Sequence, residues 1–215
     1  MTFYYMMLGG YFLVWDVLNV IGTIAFAISG AILAMKVKYD IIGTYILGLI
    51  TAFGGGAVRN LFIGIPIIEL WQQTTLFIIA IITITIVFIL PNTMVSHLKE
   101  WNVFDAIGLS AFAIQGAMHA HSIDLPILAV MFSAAITGAG GGIIRDILAR
   151  QKPLVFQKEV YLLWAIMAGL FIGMDWVTEP YQLYTLFGII FILRIISYRL
   201  GWSLPVRTVH RAQKG

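Results

Sequence analysis

The sequence predicts an all-α integral membrane protein with seven transmembrane helices, built as two inverted three-helix repeats plus a seventh helix. Three observations predict it. Of 215 residues, 60% are hydrophobic and 11% charged, and the mean hydropathy is +0.95, far from the composition of a soluble globular domain. Long apolar runs punctuate the chain from end to end. An offset of 86 residues then lays the chain over itself without a gap, with 18 of 46 pairs identical between residues 15–60 and 101–146.

Apolar runs fall at about 11–35, 41–63, 74–91, 103–121, 125–149, 160–176 and 181–200. A spanning helix needs about 20 apolar residues, so seven of them leave no room for a separate soluble domain, and residues 1–215 read as a single transmembrane domain. Strands of a membrane barrel alternate in polarity, whereas the run from Thr74 to Leu90 is apolar on every face. Helices satisfy their own backbone groups in lipid. The stretch Met1 to Val14 carries no Lys or Arg and so lacks the positive start of a signal peptide; it is expected to belong to the mature protein.

The first three runs form repeat one, about 11–91, and the next three repeat two, about 101–176. The last run, 181–200, is the extra helix, and 201–215 is a basic tail. In the overlay WDVLNVIGTIAFAISGA (15–31) lies on WNVFDAIGLSAFAIQGA (101–117), and TAFGGGAVRN (51–60) on TGAGGGIIRD (137–146). Apolar similarity by chance would not align Trp, Gly-Gly-Gly and Arg in one register. Three helices per repeat turn the second copy over relative to the first, an arrangement that in transport proteins places permeation sites between the copies.

Charge sets the expected orientation. Lys36, Lys38, Lys99, Arg150, Lys152, Lys158, Arg199, Arg207, Arg211 and Lys214 gather on one side of the seven-span scheme, which the positive-inside rule makes cytoplasmic. The N-terminus is then outside and the C-terminus inside, with membrane lipids as partners and the tail at their headgroups. Arg59, Arg145 and Arg194 fall within apolar runs and need another explanation. The basic residues are too thinly spread for nucleic-acid binding. Zero cysteines exclude disulfides and thiolate metal sites, and His97, His119, His121 and His210 are too scattered for a metal cage. No nucleophile, paired-carboxylate or zinc pattern supports an enzyme.

Candidate functional residues come from the overlay. Gly54, Gly55 and Gly56 in the second predicted helix match Gly140, Gly141 and Gly142 in the fifth. Three glycines cost a helix about 3 kcal/mol, enough to favour a kink or an unwound turn whose freed carbonyls replace water around a cation; close helix packing is the other reading. Neither triplet has the spacing of a phosphate loop or a dinucleotide fingerprint.

Arg59 and Arg145 follow, each beside a polar neighbour, Asn60 or Asp146. An arginine in the bilayer costs about 2.5–3.5 kcal/mol, so these two require partners or water, and Asp146, Asp16, Asp105 and Glu69 are the candidates. Asn60 opposite Asp146 makes any ion path electrically asymmetric. Asp16 and Asn19 in one copy face Asn102 and Asp105 in the other, so carboxylate and amide exchange places. Thr51 and Thr137, like Ser29 and Gln115, either face a pathway or bond within their own helices. Ala27, Gly30, Ala31 and Ala34, with Ala113, Gly116, Ala117 and Ala120, repeat a small-residue spacing suited to tight helix contacts.

The paired GGGAVRN (54–60) and GGGIIRD (140–146), in two flipped three-helix units with a seventh helix, resemble the prokaryotic branch of the trimeric intracellular cation (TRIC) channel family over nearly the whole chain. The resemblance implies a homotrimer in a prokaryotic plasma membrane, each subunit having its own pore between the glycine-bearing helices and passing monovalent cations, potassium among them. It implies no cofactor beyond the permeant potassium or sodium and bound lipid. Asn60 departs from the Arg-Asp pair of many relatives. Prokaryotic relatives have also carried a glycine-transporter label, which leaves a secondary carrier of a small zwitterion as the alternative.

Overall fold

A computed structural model describes residues 10–91, 101–156, 160–205 and 207, without the side chain of Trp101. His97, Lys99, Lys158, His210, Arg211 and Lys214 lie outside the described residues. Eight α-helices are present among them: α1 (Gly10–Lys36), α2 (Ile41–Ile63), α3 (Ile68–Trp71), α4 (Thr74–Ile89), α5 (Trp101–Ser122), α6 (Ile127–Leu148), α7 (Tyr161–Gly173) and α8 (Pro180–Arg199). A 3-10 turn, Leu154–Phe156, follows α6. Every expected apolar run is a helix. Helix α3 and the 3-10 turn carry no apolar periodicity of their own and were not expected.

This is an all-helical membrane protein. Helices α1, α2, α5, α6 and α8 are long and apolar enough to cross a bilayer. The apolar helices α4 and α7 have 16 and 13 residues, so at about 1.5 Å per residue they are shorter than the hydrocarbon layer. Large apolar side chains remain on the outside, among them Leu61, Phe62, Ile82, Ile86 and Ile89. That is the surface lipid requires.

Local chemistry fixes the helix ends that carry the polar residues. Asp40 caps α2 by accepting the Gly43 N–H at 2.7 Å, and Gly64, with φ 76°, closes it by donating its N–H to the Asn60 carbonyl. A left-handed residue at that point is most easily glycine. Arg59 and Asn60 are thereby held in the closing turns of α2. Arg145 and Asp146 occupy the last turn of α6, which ends with the Ala149 N–H on the Arg145 carbonyl.

The interior is packed by small residues meeting across pairs that recur at the 86-residue offset. Gly22 lies under the Phe112 ring and Gly108 under the Phe26 ring, bringing α1 against α5. Gly30 seats the Thr51 side chain between α1 and α2, and Gly116 seats Thr137 between α5 and α6. Ala27, Ala31, Ala34, Ala113, Ala117 and Ala120 are fully buried, as the small-residue spacing predicts. In lipid such packing rests on van der Waals contact, because tails are as apolar as the side chains.

The glycine triplets correct one expectation. Helix α2 runs unbroken from Ile41 to Ile63 and α6 from Ile127 to Leu148, through Gly54, Gly55 and Gly56 and through Gly140, Gly141 and Gly142, so neither triplet forms an unwound turn. Instead the two helices cross on them. A Cβ on Gly55 would stand 2.5 Å from the Thr137 carbonyl oxygen, and one on Gly141 would collide with the Thr51 carbonyl oxygen. Gly140 abuts the Gly55 Cα. The helical cost of glycine is offset by backbone-to-backbone contact that any side chain would prevent.

Candidate functional site at the paired arginines

Two buried guanidinium sites, one per repeat, flank the glycine crossing. In the first, Arg59 is 3% exposed. Its Nε and Nη2 both donate to Asn60 Oδ1, at 3.0 and 2.7 Å, and Nη1 donates to Gln115 Oε1 of α5 at 2.9 Å. In the second, Arg145 is fully buried. Its Nε donates to Asp146 Oδ1 at 2.8 Å, with Nη2 2.7 Å from the same oxygen. Nη1 donates to Ser29 Oγ of α1 at 2.5 Å and to Asp105 Oδ1 at 2.8 Å. Each arginine therefore grips the residue after it and reaches into the other repeat, at Gln115 or Ser29. Those two positions are themselves 86 apart.

The charges differ although the geometry matches. At the positions equivalent to Asp105 and Asp146 the first repeat has Asn19 and Asn60. Arg145 has two carboxylates within ion-pairing distance; Arg59 has none among the described residues, and the field it feels comes from exposed Glu69 on α3. Two unit charges about 4 Å apart interact by roughly 4 kcal/mol at an effective dielectric near 20, so this substitution dominates the electrostatics of the pair.

The second site is also closed by further contacts. Tyr161 of α7 donates its hydroxyl to Asp105 Oδ2 at 2.8 Å, and Asp146 Oδ2 accepts the Leu154 N–H at 3.1 Å. The Arg194 guanidinium of α8 lies 4.4 Å from the centre of the Tyr161 ring, a cation–π contact. Arg194, set apart in the sequence as an arginine within an apolar run, is thereby packed over Tyr161, with the Tyr198 ring centre 5.8 Å away. Tyr161 stood out in no motif; only proximity reveals it.

The first site instead opens on a small, half-open cavity of about 20 Å³ for a water-sized sphere, lined by Asn19, Thr23, Ala52, Phe53, Gly56, Arg59, Leu70, Gln73, Phe112, Gln115 and Thr137. Helices α1, α2, α5 and α6 all contribute to it, with Leu70 and Gln73 arriving from α3 and the turn after it. The remaining candidates fall unevenly around these sites. Asp16 is exposed and does not line the cavity. Thr51 and Thr137 are buried, each bonding its own helix at 2.6 Å through the Leu47 and Ser133 carbonyls, and Thr137 also lines the cavity. Asn102, equivalent to Asp16, donates to the Tyr198 hydroxyl at 2.6 Å.

The sequence profile of the glycine transporter family matches residues 16–92 and 102–175, segments whose starts differ by the same 86 residues. The chain is 52% identical to the UPF0126 membrane protein YvgT of Bacillus subtilis, over 90% of this chain and 96% of that one. A solved structure addressing conductance through TRIC cation channels superposes with a TM-score of 0.78 at 37% identity, covering 92% of this chain and 98% of its own. The chain is a member of the TRIC channel family. The crystal structure of a prokaryotic TRIC channel gives the same TM-score, 0.78, at 33% identity over 90% of this chain and all of its own. Similarity to TRIC channels thus extends over the arginine sites, the glycine crossing and α8 together.

Proposed function

We propose that the protein is a monovalent-cation channel, permeable to potassium, in a prokaryotic plasma membrane, with one conduction path inside each subunit along the crossing of α2 and α6. The observation that carries this reading is the likeness to solved TRIC channels over nearly the whole chain, joined to a polar cavity at the glycine crossing. In this reading α4 and α7 complete two three-helix units of opposite orientation, α8 is the seventh span, and three subunits assemble. The N-terminus lies outside, so the Arg59 cavity faces the exterior and the Arg145 cluster the cytoplasm.

Conduction here uses no unwound helix. Gly54 to Gly56 and Gly140 to Gly142 keep side chains out of the crossing, and Thr137, Gln115 and Asn19 supply polar walls on one side of it. No Thr-Val-Gly-Tyr-Gly filter occurs in the sequence, so discrimination between potassium and sodium is expected to be modest. Planar-bilayer recording of the purified protein under a potassium chloride gradient tests the reading. A cation-selective reversal potential is expected, and an anion-selective one, or no current, overturns it.

The name of the matching glycine transporter family and the neutral hydrogen-bond partners of Arg59 favour one second reading, a carrier whose arginine holds the carboxylate of a small zwitterion such as glycine. Saturable counterflow of labelled glycine without macroscopic current is its signature.

A further inference from the structure

The Arg59 cavity combines three features that point to a ligand. Its one full charge is a buried guanidinium, whose described partners are the neutral oxygens of Asn60 and Gln115. The fork on Asn60 reproduces the fork that Arg145 makes on Asp146, with the negative charge removed. The walls add amides from Asn19 and Gln73 and a hydroxyl from Thr23, groups able to donate an N–H or O–H to whatever enters. A buried cation needs a counter-charge. The second repeat supplies it in direct contact as Asp105 and Asp146, whereas the first has amides at both equivalent positions, a cavity beside them, and only exposed Glu69 acting from outside ion-pairing distance.

We infer that the Arg59 cavity binds a small monovalent anion, a halide or a short carboxylate, which serves as the exchangeable counter-charge that Asp146 provides permanently in the other repeat. The anion sits where the guanidinium edge and the wall amides converge. It neutralises the positive field at that end of the crossing, so a cation path through the subunit becomes sensitive to the anion present. The binding site itself does not depend on the conduction reading.

The test is thermal unfolding of the purified full-length protein in sodium chloride, sodium acetate and sodium gluconate series at constant ionic strength. Wild type is expected to show a saturable rise of Tm with chloride or acetate and none with the bulky gluconate, since a ligand of the folded state alone stabilises it. Chloride without acetate assigns the site to halides, and acetate without chloride to carboxylates. Asn60→Asp places a carboxylate on the guanidinium, and is expected to weaken the apparent affinity about tenfold or more; Arg59→Gln is expected to abolish the effect. Should Arg59→Gln fail to fold, the near-isosteric Asn60→Asp carries the test. The inference is overturned if wild type shows no saturable, anion-specific shift, or if Asn60→Asp retains it undiminished. Loss of potassium current with the shift intact would remove the channel reading and leave the anion site standing.

Discussion

Arg59 and Arg145 are the same construction executed with different charges. Each holds the residue that follows it through Nε and Nη2, and each crosses to the opposite repeat through Nη1. Around Arg145 two carboxylates, a tyrosine hydroxyl and a turn N–H close the site; around Arg59 amides stand in their place and a cavity remains. Amide and carboxylate have nearly the same shape, so the fork survives the exchange while the electrostatics do not. Duplicated geometry thus yields one sealed ionic cluster and one open, positively charged chamber.

The largest effect expected from breaking this comparison is on stability. Asp105→Ala strips a fully buried carboxylate from Arg145 and is expected to cost about 3–5 kcal/mol, whereas Asn19→Ala at the equivalent position costs about 1 kcal/mol. Thermal melts of both variants in detergent measure the contrast, and equal losses would show that the two sites are not electrostatically distinct. The glycine crossing comes next. Gly141→Ala drives a methyl into the Thr51 carbonyl and is expected to cost about 1–3 kcal/mol, while Gly56→Ala, whose nearest atom is Arg59 Nη2 at 4.0 Å, is expected to be neutral or to gain up to about 1 kcal/mol in helix propensity. Comparable destabilisation by both would remove close packing as the purpose of the central glycines.

A smaller effect is expected on conduction. Asn60→Asp adds a negative charge beside the first chamber and should lower the barrier to a cation by about 1 kcal/mol, roughly fivefold in potassium conductance, measured in gluconate salts where no small anion screens Arg59. Unchanged single-channel conductance would place the ion path away from Arg59. Smallest of all is the loss of the cross-repeat hydrogen bonds. Ser29→Ala in the fully buried cluster should cost about 1 kcal/mol, and Gln115→Ala less, because water entering the cavity can take over the guanidinium N–H. The order of the two melting temperatures decides between them.

Much of this is legible in the sequence. The seven apolar runs coincide with helices to within a few residues, and the overlay that aligned Gly54–Gly56 with Gly140–Gly142 also paired Gly22 with Gly108 and Phe26 with Phe112, residues that prove to interlock. Exchange of Asn60 for Asp146 was visible as an electrical asymmetry. Of the kink or unwound turn expected from three glycines, the unwound turn is absent, since both helices run on through the triplets. Helix propensity counts only the cost of glycine within its own helix, and here the compensating contact comes from the partner helix. Among the carboxylates, Asp16 and Asp105 looked equally eligible; one is exposed and the other fully buried against Arg145.

The sequence alone determined that the chain is a membrane protein, that it is duplicated, and that each copy carries one glycine triplet and one arginine. These are properties of composition and register, which survive without knowledge of any contact. Only the tertiary structure decided which residues face each arginine, because those partners come from Gln115 and Ser29 in the opposite copy and from Tyr161 on a third helix. Pairings across helices depend on how two packed surfaces are rotated against each other, and no local pattern along one strand of sequence encodes that rotation.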